Sequence, residues 1–289
     1  MTPSLAHDEQ LLEIDDITLC VQAFGDPRAS TLLLIGGAEA SMDWWDDEFC
    51  LRLAAPGRHV VRYDTRDTGR STTYAPGTPT YGRDALVADA VGLLDSLGIA
   101  VADIVGVSMG GDIAQRLAVR HPGRIASLTL IATSPGGPDL PPMSPQLAEK
   151  FAQGGDEAPD WTDREAVIAY YVSGEHTFGG TIPVDEGWVR RVAGKAWDRS
   201  PSLPSAQNHW LLDDGVPVSD RLNEITAPTL VLHGTADPLL PYGHGEALAQ
   251  RIPGARLVPL EGMGHGMPPI QVWDTAITEI LDIAGQARS

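Results

Sequence analysis

The stretch Gly106-Val107-Ser108-Met109-Gly110 sets a serine between two glycines, each two residues away. The apolar pair Ile104-Val105 precedes it, and a helical pattern over 112–118 follows it. Strand, sharp turn, helix is the context in which G-x-S-x-G acts as a nucleophile elbow. The turn strains the serine backbone, so its close neighbours must be small. Ser108 is then expected to project its hydroxyl above a sheet. It would sit at a helix N-terminus, whose free N–H groups favour developing negative charge. The competing reading is a Gly-rich turn with an incidental serine.

A nucleophilic serine needs a base to take its proton and a third group to orient that base. Asp237 follows the apolar run 229–232, in His233-Gly234-Thr235-Ala236-Asp237-Pro238. His265 follows Leu257-Val258, in Gly262-Met263-Gly264-His265-Gly266. Both are expected at the carboxyl edge of the sheet that carries Ser108, where ligands of open α/β sheets bind. Asp237 before a proline also reads as a turn-former. Asp139 is the rival acid, but lies further from its strand, 128–131. His265 competes with His7, His59, His121, His176, His209, His233 and His244. Its flanking glycines let the ring approach the serine. His233 precedes the acid and reads as structural. His176 and His209 are candidates to touch substrate. Acyl transfer also needs two oxyanion donors. Met109, next after the nucleophile, is expected to supply one. Gly37, in the loop Gly36-Gly37-Ala38-Glu39, is expected to supply the other, although a plain Gly-Gly turn is the alternative.

These residues need a scaffold that brings strand ends together. Short continuous apolar runs at 31–35, 59–63, 104–107, 128–131, 229–232 and 255–258 suit strands buried on both faces. Residues 10–24 alternate like a half-buried strand, and Gly25-Asp26-Pro27 ends them. Helical patterns cover 85–97 and 273–284. The fold class is therefore α/β, a doubly wound, mostly parallel sheet with right-handed crossovers. Residues 136–220 do not fit this rhythm. They lack convincing strands and hold four of the seven tryptophans. Helices are expected at 145–151, 164–172, 185–196 and 205–212. The organisation expected is a core of 1–135 and 221–289 with a helical cap of 136–220. Trp161, Trp188 and Trp210 are candidate substrate contacts. The alternative is a continuation of the core with obscured periodicity.

The 289 residues are 43% hydrophobic, enough for a sizeable core. A net charge of -19 argues against nucleic-acid or anionic-membrane partners, and decides nothing about oligomeric state. Neutral or cationic substrates fit it better than acidic ones. No apolar stretch is long enough to span a membrane. The N-terminal residues lack a basic region followed by an apolar one, so no leader is expected. Two isolated cysteines, Cys20 and Cys50, fit a reduced cytoplasm. No zinc spacing and no phosphate-binding glycine motif is present, so neither metal nor cofactor is expected. The stretch from Asp64 to Ser71 carries two arginines, which favours an internal ion-pair loop over a metal site.

Taken together, these motifs resemble the α/β-hydrolase superfamily over nearly the whole chain. Within it, the loops resemble the aclacinomycin methylesterase family of anthracycline tailoring. The features are Gly36-Gly37 in place of the commoner His-Gly, the stretch Arg66-Asp67-Thr68-Gly69-Arg70-Ser71-Thr72, and residues 44–49. That family hydrolyses a carbomethoxy ester on a polyketide aglycone. The resemblance implies Ser108 as nucleophile, Asp237 as acid, His265 as base, and Gly37 and Met109 as oxyanion donors. The function expected is serine ester hydrolysis of a bulky, mostly apolar ester. The same triad would also serve a cofactor-free haloperoxidase-like perhydrolase or a C–C hydrolase. A hydrolase-fold receptor without catalysis is the non-enzymatic alternative.

Overall fold

The apolar runs assemble into one eight-stranded sheet. The computed structural model describes residues 6–286; residues 1–5, part of the stretch read for a leader, lie outside the described residues. The strands are β1 Gln10–Ile14, β2 Ile17–Phe24, β3 Thr31–Ile35, β4 His59–Tyr63, β5 Ala102–Val107, β6 Ile125–Ile131, β7 Thr229–Gly234 and β8 Arg256–Leu260. Their order is β1-β2-β4-β3-β5-β6-β7-β8. Pairing is parallel from β4 to β8 and antiparallel for β1–β2 and β2–β4. All of β3, β4, β5 and β7 is buried, as continuous apolar runs require.

The eight helices among the described residues are α1 Asp47–Ala54, α2 Arg83–Ser96, α3 Met109–Arg120, α4 Pro145–Ala152, α5 Arg164–Phe178, α6 Glu186–Arg199, α7 Gly243–Arg251 and α8 Trp273–Gln286. One face of the sheet buries side chains of α2, α3 and α7, including Leu93, Leu117 and Leu248. The other face buries side chains of α1 and α8, including Leu53 and Ile280. Helices α1 and α7 go beyond the helical patterns named above. They have eight and nine residues, too few for a periodicity to declare itself.

Residues 10–24 form a hairpin rather than a single strand. The apolar phase shifts from Leu12 and Ile14 to Ile17, Leu19 and Val21. A straight strand cannot keep both sets on one face. The turn between them takes Asp15 to a positive φ of 50°.

Between β6 and β7 the chain is helical. The side chains of Ser144, Asp163 and Asp185 cap α4, α5 and α6 by accepting backbone N–H bonds. Helix α5 runs past the expected 164–172 to Phe178, and the segment expected at 205–212 is a 3-10 turn over Leu203–Trp210. Helices α5 and α6 bury Val172, Val189 and Val192 against Trp44. At the end of α6, Arg199 pairs with Asp64 and Glu9, both at 2.8 Å, and with Asp43. Lys195 reaches Asp43 at 3.1 Å. Arg199 is thus a mostly buried cation joining this segment to the sheet side. No helix among the described residues is long and apolar enough to cross a membrane.

Candidate active site

Ser108 lies between the end of β5 and the first residue of α3, at φ 51° and ψ -114°. A non-glycine residue held there is strained, and persists only where the surroundings over-determine it. Several bonds do so. Its N–H donates to Ile131 O at 2.9 Å, and its carbonyl accepts from Gly111 N, Asp112 N and the Thr133 hydroxyl. The two motif glycines allow the close approach. A Cβ at Gly106 would stand 2.2 Å from Gly110 O, and one at Gly110 would stand 2.3 Å from Ile35 O. Neither site admits a side chain.

The structure brings the three chemistry-bearing side chains into one hydrogen-bonded chain. Ser108 Oγ lies 3.0 Å from His265 Nε2, and His265 Nδ1 lies 2.9 Å from Asp237 Oδ2. A carboxylate only accepts, so Nδ1 carries the proton and Nε2 is left to receive one from the serine. Asp237 is held in turn, since its Oδ1 accepts from Leu239 N and Leu240 N. His265 N–H donates to Phe178 O at the end of α5. His233 sits 3.6 Å from Asp237 but donates Nε2–H to Leu240 O at 2.7 Å, which ties down the same loop. Burial pushes its ring below the ordinary histidine range. Asp139 is exposed at the surface.

Met109 N–H is the first amide of α3 and has no acceptor within the helix. The Gly37 backbone runs beside the nucleophile, where a Cβ would stand 3.5 Å from Ser108 Cβ. The Asp64–Ser71 stretch is an ion-pair loop. Arg66 grips Asp89 through two 2.7 Å bonds, and Asp64 accepts from Met42 N and Arg70 N. Among the described residues, no three His, Cys, Asp or Glu side chains group as a metal site.

Two cavities flank His265. One, of about 190 Å³, contains Ser108 and Gly37 and is walled by Trp44, Tyr170, Tyr171, Phe178 and Trp210. The other, of about 290 Å³, lies between α6 and the loop from Met263 to Trp273, and includes Trp188. Glu175, His265 and Met267 line both. Of the three tryptophans named from the sequence, Trp210 lines the serine cavity and is 61% exposed. Trp188 lines the second cavity and donates to Asp46 at 2.8 Å. Trp161 lines neither, and packs edge-on against Tyr170.

Two carboxyl groups at the site escaped the sequence reading. Burial pushes the Glu175 carboxyl up to about 7, with His265 and His176 opposing the shift. Burial also raises Glu39, which accepts a hydrogen bond from Trp210 Nε1. Glu175 follows Ile168, Tyr171 and Val172 at helical spacing and so shares their inner face, but nothing local places that face on the cavity.

Known proteins place this geometry in context. The family model described as the alpha/beta hydrolase fold matches residues 30–268. The rhodomycin D methylesterase DauP of Streptomyces sp. (strain C5) is 34% identical over 280 residues, covering 90% of this chain and 92% of that protein. The non-heme chloroperoxidase of Streptomyces lividans is 28% identical, covering 80% and 83%. A crystal structure of a hydrolase from Pseudomonas aeruginosa PA01 superposes with a TM-score of 0.73 at 25% identity, covering 96% of this chain and 98% of that one. With an elbow serine, a mostly parallel sheet and a family match across most of its length, the chain belongs to the alpha/beta hydrolase fold family and is a hydrolase.

Proposed function

We propose that the chain is a serine ester hydrolase of the methylesterase type, acting on a bulky, mostly apolar ester, with a carbomethoxy group on a polyketide aglycone as the substrate class. The observation that carries the reading is the chain of contacts from Ser108 Oγ through His265 to Asp237, at 3.0 and 2.9 Å. His265 Nε2 takes the Ser108 proton as Oγ bonds to the ester carbonyl carbon. The oxyanion rests on the N–H groups of Met109 and Gly37. Collapse breaks the bond to the alcohol oxygen, which leaves with the proton from His265. Water, deprotonated by His265, then attacks the acyl-enzyme and frees the acid and Ser108.

Cavity size bears on the substrate. The serine cavity, at about 190 Å³, is smaller than the roughly 300 Å³ at which drug-sized ligand sites begin. A polycyclic ester must therefore extend past His265 into the neighbouring cavity or displace residues 136–220, which act as a cap. The aromatic walls suit a flat apolar ring system. The 34% identity to a methylesterase supports the same reading. In the test, methanol release from a polycyclic carbomethoxy ester is compared with p-nitrophenyl acetate hydrolysis. A higher kcat/KM on the polycyclic ester supports the proposal. Turnover of the acetate alone would assign a small-acyl esterase.

A second reading, peroxide-dependent perhydrolysis on the same triad, draws on the similarity to a chloroperoxidase. Halogenation of a phenol indicator with peroxide in acetate buffer tests it. Esterase activity without that signal removes it.

A further inference from the structure

The loop that follows β3 carries a strained residue of its own. Glu39 sits at φ 62°, a left-handed conformation for a residue with a side chain. Such backbone needs external bonds to persist. They come from one residue pair at the end of the segment inserted between β6 and β7. Glu39 N–H donates to His209 Nδ1 at 3.0 Å, and the Glu39 carboxylate accepts from Trp210 Nε1. His209 is 1% exposed and touches a second loop on its other side, donating Nε2–H to Arg66 O at 2.8 Å. A carbonyl only accepts and an amide only donates, so these two partners fix the tautomer without ambiguity. Neighbouring Asn208 holds the same second loop, through Asp67 Oδ2 at 3.1 Å, Ala75 O at 3.2 Å and Gly77 N at 2.7 Å.

We propose that His209 is a positioning residue for the oxyanion side of the site: it clamps Glu39 and thereby sets the direction of the backbone amides of residues 37–39 beside Ser108. The inference rests on the serine-hydrolase reading above. It gives His209 a part in stabilising the transition state without contact with substrate. It also couples the inserted segment to the reaction centre, because any movement of Leu203–Trp210 shifts the clamp. Burial pushes the ring below the ordinary histidine range, with Asp67 opposing and Arg83 reinforcing that shift. A ring protonated on both nitrogens would set N–H against the Glu39 N–H.

The test uses two isosteres in the full-length protein. The asparagine oxygen of H209N occupies the place of Nδ1 and keeps the acceptor. The glutamine amide of H209Q reaches the place of Nε2 and abandons it. H209Q is expected to lose about ten- to hundredfold in kcat, a fraction of what removal of one oxyanion donor costs. Its KM should stay within about twofold of the parent, because the lost interaction belongs to the transition state. H209N is expected to keep kcat within about threefold of the parent. Affinity for an alkyl boronic acid, whose serine adduct mimics the tetrahedral state, should fall in H209Q in step with kcat.

Unchanged kcat in H209Q, equal losses in the two variants, or a loss confined to KM each overturns the clamp. If H209Q does not fold, H209N alone decides: a kcat near the parent's supports the clamp and a tenfold or greater fall, about the size expected from a disturbed oxyanion loop, overturns it. S108A separates this inference from its foundation. If S108A keeps full p-nitrophenyl ester turnover, the serine-hydrolase reading fails. If S108A is inactive while H209Q matches the parent, only the clamp fails.

Discussion

The sheet edge and the segment inserted between β6 and β7 meet at the same cavity but are built differently. On the sheet side, Ser108, Asp237 and His265 each stand in a loop just past a strand. Backbone bonds such as Ser108 N–H to Ile131 O, and Leu239 and Leu240 N–H to Asp237, fix them. On the other side, Tyr170, Glu175 and Trp210 meet the cavity through side chains on helical turns. That segment is tied to the core by side-chain bonds from Arg199, Lys195, Trp188 and His209, with backbone bonds such as His265 N–H to Phe178 O and Thr181 N–H to Gly262 O beside them. Backbone anchoring keeps the chemistry in place whatever the neighbouring side chains are. The opposite wall is anchored mostly through side chains, and the anchor at His209 reaches the loop beside Ser108.

Substitutions on the two sides should therefore fail in different ways. The largest effect belongs to S108A, expected to lower p-nitrophenyl ester kcat by about 10⁴-fold or more with an unchanged melting curve. D237N keeps the shape but removes the anionic acceptor of His265 Nδ1–H, so kcat should fall by about 10³–10⁴. A loss under tenfold in D237N would move the orienting role to another group.

On the other side, R199M leaves Asp64 buried without its cation and Asp43 with Lys195 alone. It should cost about 3–5 kcal/mol in denaturant unfolding, the range for breaking a buried ion pair. A melting curve identical to the parent's would show that this contact does not hold the segment.

Glu175 sharpens the comparison through pH. Its carboxyl is raised from 4.5 to about 7, so the folded protein favours the protonated form. Stability from that preference is complete below the unfolded value and is lost as pH rises through about 7. E175Q cannot ionise. It should match the parent in thermal unfolding at acid pH and be more stable than it at pH ~8, by about 1–3 kcal/mol. Equal stability at both pH values would show that the carboxyl is solvated. The smallest effect is expected for W210A. Trp210 is exposed and lines the serine cavity, so KM should rise by about two- to fivefold, as for partial loss of one aromatic contact, and because its bond to Glu39 only seconds that of His209, kcat should fall by less than in H209Q.

These differences also explain what could be read from the sequence. The parallel strands were legible because β3, β4, β5 and β7 are buried on both faces and therefore continuously apolar. Ser108, Asp237 and His265 stood out because each follows such a run within a few residues and the flanking glycines mark tight turns. The hairpin at Asp15 was obscured because alternation continues through it with only a change of phase. Glu39 and Glu175 were not legible as neighbours of the reaction centre, and His209 was named only as a candidate to touch substrate, whereas it bonds the Glu39 backbone. Their partners lie far away in the chain, with His209 bonding Glu39 across 170 residues. Local periodicity carries no record of such pairs. Trp161, in the turn before α5, and Trp188, in α6, show the same limit, since a tryptophan declares bulk and not the cavity it faces.

The central claim is that Ser108 is a covalent nucleophile activated by His265. Reaction of the full-length protein with a fluorophosphonate, followed by peptide mass spectrometry, tests it most directly. The account predicts a single adduct on Ser108 and its absence after H265A, where the base is gone. A protein that stays unlabelled, or that loses activity through an adduct on a different residue, would contradict it.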